Sequence, residues 1–250
     1  MTAPVEPHPA ASLILLRDGA DGMEVFMIQR HRDLRFAAGA MVFPGGRLDP
    51  EDQAPDLRAL SCALSPDLPH RLAAIREAFE ECGILLARPE VDDARLDALR
   101  GPSANPFLDR LKAAGVEPAV DALVPFARWI TPETVWRRFD TMFFLARAPA
   151  RQIPVVDGGE AVSGLWGTPR AILAAAEAGE LSLVFATRMN LMRLAACRSV
   201  RHAQEEAARY QPLTPILPQP METPAGPVLR IPEGVGYAVT DAAVDQIRLG

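Results

Sequence analysis

The sequence predicts a mixed α/β domain with helical additions. Short apolar runs of strand character alternate along the chain with segments that have the apolar spacing of helices, and this interleaving is typical of α/β domains. Hydrophobic residues make up 49% of the 250 residues, enough for an ordinary buried core. We find no internal repeat and no flexible linker between independent domains, so we expect one domain that carries insertions.

The N-terminal part of the chain supplies two predicted strands and one inserted loop. Residues 1–11 are expected to form a flexible tail, and strands follow at Ser12–Leu16 and Val25–Ile28 around a glycine-containing turn. A further apolar stretch, 36–44, ends at a pair of glycines. Residues 50–68 are rich in Asp, Pro and Ser, which predicts an insertion with one helical turn.

A distinct helix is predicted from Pro69 to Cys82. Proline near its start and Gly83 directly after its end match the usual preferences at helix boundaries. Residues 89–121 predict a second insertion of two short helices. Their apolar positions are Leu96, Leu99, Leu108 and Leu111.

The rest of the chain alternates strands and helices before a proline-rich segment. The predicted elements are strands at Trp129–Ile130, Met142–Ala146 and Val228–Ile231, and helices at Pro169–Ala178 and Val184–Arg209. Residues 212–227 contain six prolines, which exclude a regular helix and predict an extended surface segment. We therefore treat residues 181–250 as a C-terminal helical and proline-rich extension packed on the same domain.

Charge and cysteine content exclude several classes of function. The formal net charge is −6 and no long basic block occurs, so nucleic acid is not an expected partner. A small anionic substrate is compatible with this charge, because a bound metal or a local group of arginines can outweigh it. The three cysteines are isolated, which suggests neither a zinc site nor a disulfide framework. Without a basic leader or a membrane-length apolar run, we expect a cytoplasmic protein with no membrane association.

The predicted helix carries a cluster of carboxylates. Glu77, Glu80 and Glu81 are spaced i, i+3 and i+4 and therefore project from one face. Carboxylates so close repel one another unless a cation lies among them, and Mg²⁺ (or Mn²⁺) prefers such oxygen ligands. Arg76 is placed to orient one of these carboxylates through its fork of donors. The alternative interpretation is an ordinary solvated helix face.

Two glycines upstream favour the metal interpretation. In Phe43-Pro44-Gly45-Gly46 the missing Cβ atoms allow the backbone to approach a metal or a phosphate closely. The Gly45 carbonyl is then a candidate metal ligand and Gly46 a candidate substrate contact. Gly83 stops the helix directly after its acidic face.

These residues resemble the Nudix hydrolase motif, G-x5-E-x7-R-E-U-x-E-E-x-G-U, in which U is a bulky aliphatic residue. Residues 76–84 match its second half, with Ala78 at the first U position. Counting from Gly46 places the family's first glutamate at Asp52, whereas counting from Gly45 places it at Glu51. An insertion, residues 53–75, replaces the seven-residue spacer of the motif.

The resemblance implies a fold and an activity. The fold is an α-β-α sandwich with a mixed sheet, which we expect over residues 12–180, with the two insertions and the C-terminal extension added to it. The activity is the metal-dependent hydrolysis of a diphosphate bond in a nucleotide-containing small molecule. Glu80 and Glu81 would be the principal metal ligands and Glu77 a ligand or a base. Some members take the base from a later loop, for which Glu160 is the best candidate; a structural glutamate is the alternative.

A second pattern overlaps the first. Arg30, Arg35, Gly39 and the Gly45-Gly46 pair resemble the signature R-x4-R-x3-G-x3-F-P-G-G of coenzyme A diphosphatases within the family. The resemblance implies that Arg30, Arg35, Gly39 and Gly46 contact coenzyme A or acyl-coenzyme A, which would be cleaved to 3′,5′-ADP and (acyl-)4′-phosphopantetheine. Arginines suit a substrate that carries a 3′-phosphate besides its diphosphate. Two surface arginines on a loop are the alternative.

Other functions stay open. The substrate could instead be ADP-ribose, NADH or a nucleotide sugar, or the chain could be a nucleotide-binding regulator of the same fold without turnover. The retained glutamates argue for an enzyme. Arg137 and Arg138 could contact phosphate or base, or end a solvated strand. Residues 210–227 could cross to a second subunit in a homodimer, although an arm packed on its own domain is the simpler account.

Overall fold

The computed structural model describes residues 5–34, 36–53, 66–101, 103, 105–224 and 226–243. Within these residues the strands are β1 (His8–Gly19), β2 (Gly22–Arg30), β3 (Met41–Val42), β4 (Gly45–Arg47), β5 (Ala87–Arg88), β6 (Glu117–Pro118), β7 (Val124–Ile130), β8 (Phe139–Arg147), β9 (Ala161–Gly167), β10 (Pro215–Ile216), β11 (Gln219–Thr223), β12 (Gly226–Arg230) and β13 (Asp241–Ala243). The α-helices are α1 (Leu68–Cys82), α2 (Asp93–Arg100), α3 (Phe107–Ala113), α4 (Pro169–Glu177), α5 (Phe185–Leu194) and α6 (Val200–Ala208). Pro50–Gln53 and Val120–Ala122 form short 3-10 helices.

The main sheet is built around β1. Its described strands run in the order β10-β7-β8-β1-β2-β3, with β4 paired to β1 and β9 paired to β2. β1 is parallel to β8 and antiparallel to β2, so the sheet is mixed, as predicted. The pairing of β1 with β4 sets Ser12 opposite Gly45 and Ala11 opposite Gly46. This register fixes both glycines beside the first strand.

Helices cover both faces of this sheet. Along β1, Leu13 and Leu15 face a core that includes side chains of α1, α2 and α3. Ile14 and Leu16 face a second core that includes side chains of α4, α5 and α6. Successive side chains of a strand point to opposite faces, so a strand buried on both faces needs this continuous apolar run. The α-β-α sandwich predicted from the sequence is confirmed.

The predicted helix over 69–82 is confirmed as α1. Gly83 ends it in the left-handed conformation, with φ 68°, and donates its N–H to the Phe79 carbonyl at 2.9 Å. Ala73, Ala74 and Ala78 are completely buried, and their small side chains let the helix pack closely against β1 and β4. The acidic face of the helix is thereby held beside the glycine pair.

The first strand begins at His8 and not at Ser12. Ala10 and Ala11 are buried and pair with β8 on one side and with β4 on the other. The expected tail over residues 1–11 is therefore wrong for residues 8–11. Backbone hydrogen bonds to two neighbouring strands stabilise this segment, although its side chains carry little strand preference.

The single helix predicted over Val184–Arg209 is also wrong, because the chain breaks into α5 and α6. Ser199 caps α6 by accepting the His202 N–H at 3.1 Å, and Asp18 at the end of β1 accepts the Val200 N–H at 2.8 Å. α5 packs on α4, whereas α6 packs on β7. One straight helix could not make both contacts.

The other predicted helices and strands are present, but the sequence pattern does not predict β4, β5, β6, β9 or β13. The two short helices of the second insertion are confirmed as α2 and α3, the proline-rich segment is extended, and the last predicted strand is β12. β9 is not predicted, because it contains two glycines and its exposed side chains show no regular alternation. Residues 54–65 of the first insertion lie outside the described residues. No helix in the described part of the chain is both long and apolar enough to cross a membrane.

Candidate active site

Arg76 lies at the centre of the acidic face of α1. Its side chain is 3% exposed, and it donates from Nε and Nη2 to the two carboxylate oxygens of Asp52, at 3.2 and 2.9 Å. Its Nη1 lies 2.9 Å from Glu80 Oε2 and 3.0 Å from Glu77 Oε1. Burial lowers the pKa of Arg76, but these three carboxylates together raise it above its ordinary value. The guanidinium therefore stays charged and holds the carboxylates in place.

The structure selects Asp52 as the partner of Arg76. Asp52 is 2% exposed, and it also accepts the Asp49 N–H at 2.8 Å, which closes the turn that delivers it. Glu51 is not among the described ion-pair partners of Arg76, and burial raises its pKa. The count from Gly46, which places the first glutamate of the motif at Asp52, is therefore the one in which that carboxylate contacts Arg76.

Each glycine of the pair is required by a close contact. A Cβ on Gly46 would lie 2.5 Å from Oε1 of Glu77, so any side chain there would displace that carboxylate. A Cβ on Gly45 would collide with the Ala11 carbonyl and would lie 2.7 Å from the Cα of Ser12. The missing side chains thus allow β4 to fit between β1 and the acidic helix.

Glu81 is buried and Glu77 is partly buried, and both carboxylates have few compensating partners. Glu81 accepts the Gly45 N–H at 2.8 Å, and Arg30 Nη1 lies 3.7 Å from its other oxygen. Burial raises the pKa of Glu81 to about 8, against the lowering effect of the Gly45 amide, and Glu77 raises it further. Burial likewise raises the pKa of Glu77 to about 7, partly opposed by Arg76. The pair would be stabilised by additional positive charge.

The donors fit a hard divalent cation. All candidate ligands are oxygens, and a cation would offset the repulsion between the neighbouring carboxylates. Within the described residues, no three acidic, histidine or cysteine side chains are already gathered around one point. Glu80 is 45% exposed and is turned toward Arg76, whereas Glu77 lines the adjoining cavity. Gly45 contacts the acidic helix through its amide. Metal ligation by the three glutamates and the Gly45 carbonyl stays a prediction.

Arg30 and Glu160 lie beside the acidic pair. Arg30 Nη2 is 3.9 Å from Glu160 Oε2, so the guanidinium lies between Glu160 and Glu81. The Glu160 side chain is 63% exposed at the cavity, and its loop is fixed by Asp157, which accepts three consecutive backbone N–H groups. Arg35 lies outside the described residues. Gly39 occupies a left-handed turn, with φ 68°, and is not part of the cavity lining.

A cavity of about 420 Å³ extends from these groups into an apolar chamber. Its polar end includes Arg30, Gly46, Glu77 and Glu160. Its apolar end includes Trp129, Phe139, Phe143, Val184 and Phe185. The site can therefore hold a charged group against the acidic helix and an apolar group beyond it.

The sequence did not single out the aromatic end of the cavity. Trp129, Phe143 and Phe185 come from β7, β8 and the start of α5, and only the fold brings them together. Of the adjacent arginines considered above, Arg137 lines the cavity with its guanidinium 5.3 Å from the Phe139 ring centroid. Arg138 is buried and donates to the carbonyls of Thr131 and Val5, so its role is structural.

Comparisons with known proteins agree with this geometry. The model of the family described as NUDT19 Nudix domain matches residues 56–194, more than half of the chain. A crystal structure of a NUDIX hydrolase from Alicyclobacillus acidocaldarius superimposes with a TM-score of 0.70 and 31% identity, covering 81% of this chain and 97% of that one.

Curated relatives carry a more specific description. The human protein named acyl-coenzyme A diphosphatase NUDT19 is 27% identical over 67% of this chain and 56% of its own length. The Xenopus laevis protein of the same name is 28% identical over 58% of this chain and 53% of its own length. The chain thus spans about half the length of these relatives.

Proposed function

The chain belongs to the NUDT19 Nudix domain family, and from this premise we propose that it is a metal-dependent diphosphatase acting on coenzyme A or acyl-coenzyme A. The products would be 3′,5′-ADP and (acyl-)4′-phosphopantetheine. The observation that carries the proposal is the cavity, whose lining joins Glu77, beside the buried Glu81, to apolar side chains such as Trp129 and Phe185. With a divalent cation bound at the carboxylates, this lining would complement a diphosphate joined to an apolar arm.

Named relatives support the choice of substrate. Those in human and Xenopus laevis are called acyl-coenzyme A diphosphatases. Arg30, which belongs to the coenzyme A signature, lies at the polar end of the cavity, and Arg137 lies near the aromatic end. Both can offer planar donors to phosphate groups.

The residues of the acidic face would divide the work of hydrolysis. Glu77 and Glu81, with Glu80, would bind Mg²⁺ or Mn²⁺, which supplies charge neutralisation and Lewis-acid activation when bound. Arg76 keeps Glu77 and Glu80 oriented, because it is itself locked by Asp52. Gly46 leaves the space that the Glu77 carboxylate occupies.

Proton transfer needs a base that is accessible to water. Glu160 meets this condition, because its carboxylate is exposed at the cavity mouth and lies near Arg30. We assign it the proton of the attacking water, whose oxygen bonds to one phosphorus while the bridging P–O bond breaks. The leaving phosphate remains ionised near neutral pH and needs no protonation in the same step.

Product analysis tests this function. The purified protein is incubated with coenzyme A and Mg²⁺ or Mn²⁺, and the products are identified by mass spectrometry. We expect equal amounts of 3′,5′-ADP and 4′-phosphopantetheine, no turnover after chelation, and a loss of orders of magnitude in Glu81→Gln. Glu90→Gln, an exposed carboxylate outside the cavity lining, is the matched control.

The same assay separates the competing functions. Turnover of ADP-ribose, NADH or a nucleotide sugar without turnover of coenzyme A would reject the substrate and keep the family chemistry. Nucleotide binding without any turnover would favour a regulatory module.

A further inference from the structure

A second cavity, of about 330 Å³, lies between α5, α6 and the segment that follows β12. It shares no lining residue with the active-site cavity. Its lining includes Met189, Met192, Arg193, His202, Glu206 and Tyr237. Nothing in the proposed hydrolysis uses these residues, so their arrangement needs a separate explanation.

Arg193 is a buried cation without an ion-pair partner among the described residues. It is 9% exposed, and no described carboxylate lies within salt-bridge distance of its guanidinium. Its Nη1 donates to the Phe126 carbonyl at 2.7 Å, whereas its buried Nη2 atom has no hydrogen-bond partner in the described residues. A buried N–H donor left without an acceptor carries the full cost of its desolvation.

Aromatic rings stabilise the faces of this guanidinium but not its edge. Its central carbon lies 4.1 Å from the ring centroid of Phe126, 4.8 Å from that of Tyr210 and 5.5 Å from that of Tyr237. Such contacts attract the charge but accept none of the in-plane N–H bonds. The Tyr237 hydroxyl accepts from Trp129 Nε1 at 3.0 Å and donates to Asn190 Oδ1 at 2.6 Å, and it also forms a side-chain hydrogen bond with Arg193. Nη2 of Arg193 has no acceptor among the described residues, and a ligand in the cavity that Arg193 lines would be the source of one.

The rest of the lining limits the charge and the polarity of that acceptor. Met189, Met192 and Val239 give the cavity apolar walls. Glu206 is already paired with Arg209 and lies near His202, so it does not neutralise Arg193 and would repel a ligand of high negative charge. A single carboxylate matches the planar donor edge of arginine. A polyphosphate does not fit these walls.

We propose that this second cavity binds a small monocarboxylic acid with an apolar body, whose carboxylate pairs with Arg193 while its body lies against Met189 and Met192. The proposal is independent of the hydrolase assignment. Octanoate is a suitable probe, and 1-octanol, with the same chain and no charge, is its matched control.

Methionine methyl groups report directly on this cavity. In protein labelled with [¹³C-methyl]methionine, titration with octanoate should shift the Met189 and Met192 resonances saturably, and 1-octanol should bind about ten- to hundredfold more weakly. Absence of a saturable shift at these two methyl groups, or equal affinity for both probes, would overturn the proposal.

Two variants then test the assigned residues. Arg193→Met keeps the bulk of the side chain, removes its charge and should weaken octanoate binding about ten- to hundredfold. The control is Arg201→Met, on the exposed face of α6, which should leave octanoate affinity unchanged. If Arg193→Met does not fold, Ala196→Phe serves instead, because Ala196 is exposed at the cavity and a larger side chain would fill it. Unchanged octanoate affinity in a folded Arg193→Met or Ala196→Phe protein would refute the site.

Discussion

Gly46 and Gly45 are adjacent, yet alanine at the two positions should affect different properties. In Gly46→Ala the added Cβ would lie 2.5 Å from Oε1 and 2.6 Å from Cδ of Glu77. An ordinary contact of about 3.5 Å requires the carboxylate to move by about 1 Å. Glu77 ends in a flexible side chain and Gly46 has no left-handed backbone, so the fold can accommodate this movement.

The displacement of the Glu77 carboxylate determines how much activity Gly46→Ala should lose. Misplacing a catalytic group by about 1 Å can reduce the rate about a hundredfold. We therefore expect kcat/KM of Gly46→Ala with coenzyme A to fall by about two orders of magnitude, equivalent to about 2.7 kcal/mol of transition-state stabilisation. The thermal midpoint should change by less than about 2 °C. Product formation followed by mass spectrometry gives the first quantity, and circular dichroism gives the second.

Gly45→Ala is the matched control because its added Cβ meets backbone. It would collide with the Ala11 carbonyl and lie 2.7 Å from Ser12 Cα, and neither atom can rotate away. Overpacking of this kind costs about 1–3 kcal/mol, or a Tm loss of about 2–10 °C in a chain of this size. Full activity in Gly46→Ala would show that the Glu77 carboxylate need not occupy its present position. Equal Tm losses in both variants would refute the inference that only the Gly45 substitution strains the fold.

Three further predictions follow from buried charges near the site and the sheet. Asp52→Asn should lower the free energy of unfolding by about 3 kcal/mol, because it removes a carboxylate paired with buried Arg76. Asp49, whose side chain is 55% exposed, should tolerate the same change. Urea denaturation of both variants measures the difference. Burial lowers the pKa of His70, so as the pH falls the unfolded chain binds this proton before the folded protein does. The contribution of His70 to the free energy of unfolding should therefore be complete above its ordinary pKa of 6.5 and should be lost as the pH drops toward the pKa of the folded state. His70→Gln should remove this pH dependence from urea midpoints measured across that range. Arg30→Ala should reduce kcat/KM for coenzyme A and for 3′-dephospho-coenzyme A equally, by about ten- to hundredfold, because the Arg30 guanidinium lies against Glu81 and Glu160. A loss confined to coenzyme A would instead show that Arg30 contacts the 3′-phosphate.

The local part of the site could be predicted from the sequence. The spacing of Glu77, Glu80 and Glu81 places them on one helix face without any knowledge of the fold, and Gly83 marks the helix end. The partner of Arg76 could not be predicted in the same way. Sequence spacing left two neighbouring carboxylates, and burial in the short helix at the start of the first insertion selects Asp52.

Features that depend on distant contacts were beyond the sequence pattern. The early start of β1 depends on pairing with β4 and β8, and the break between α5 and α6 depends on packing against two different elements. β9 follows the same rule, because its pairing with β2 compensates for a weak intrinsic preference. In each case a tertiary contact overrides local propensity.

The aromatic end of the cavity shows how the C-terminal extension takes part in the site. Val184 and Phe185 line the chamber directly, and the Phe185 ring lies 5.7 Å from the Trp129 ring centroid. Tyr237 fixes the same tryptophan by accepting its indole N–H at 3.0 Å. The aromatic wall of the cavity is thus positioned by residues that are far from the acidic helix in the sequence. Substrates that differ only in the group remote from the diphosphate should therefore be distinguished by this wall, whereas α1 acts equally on all of them.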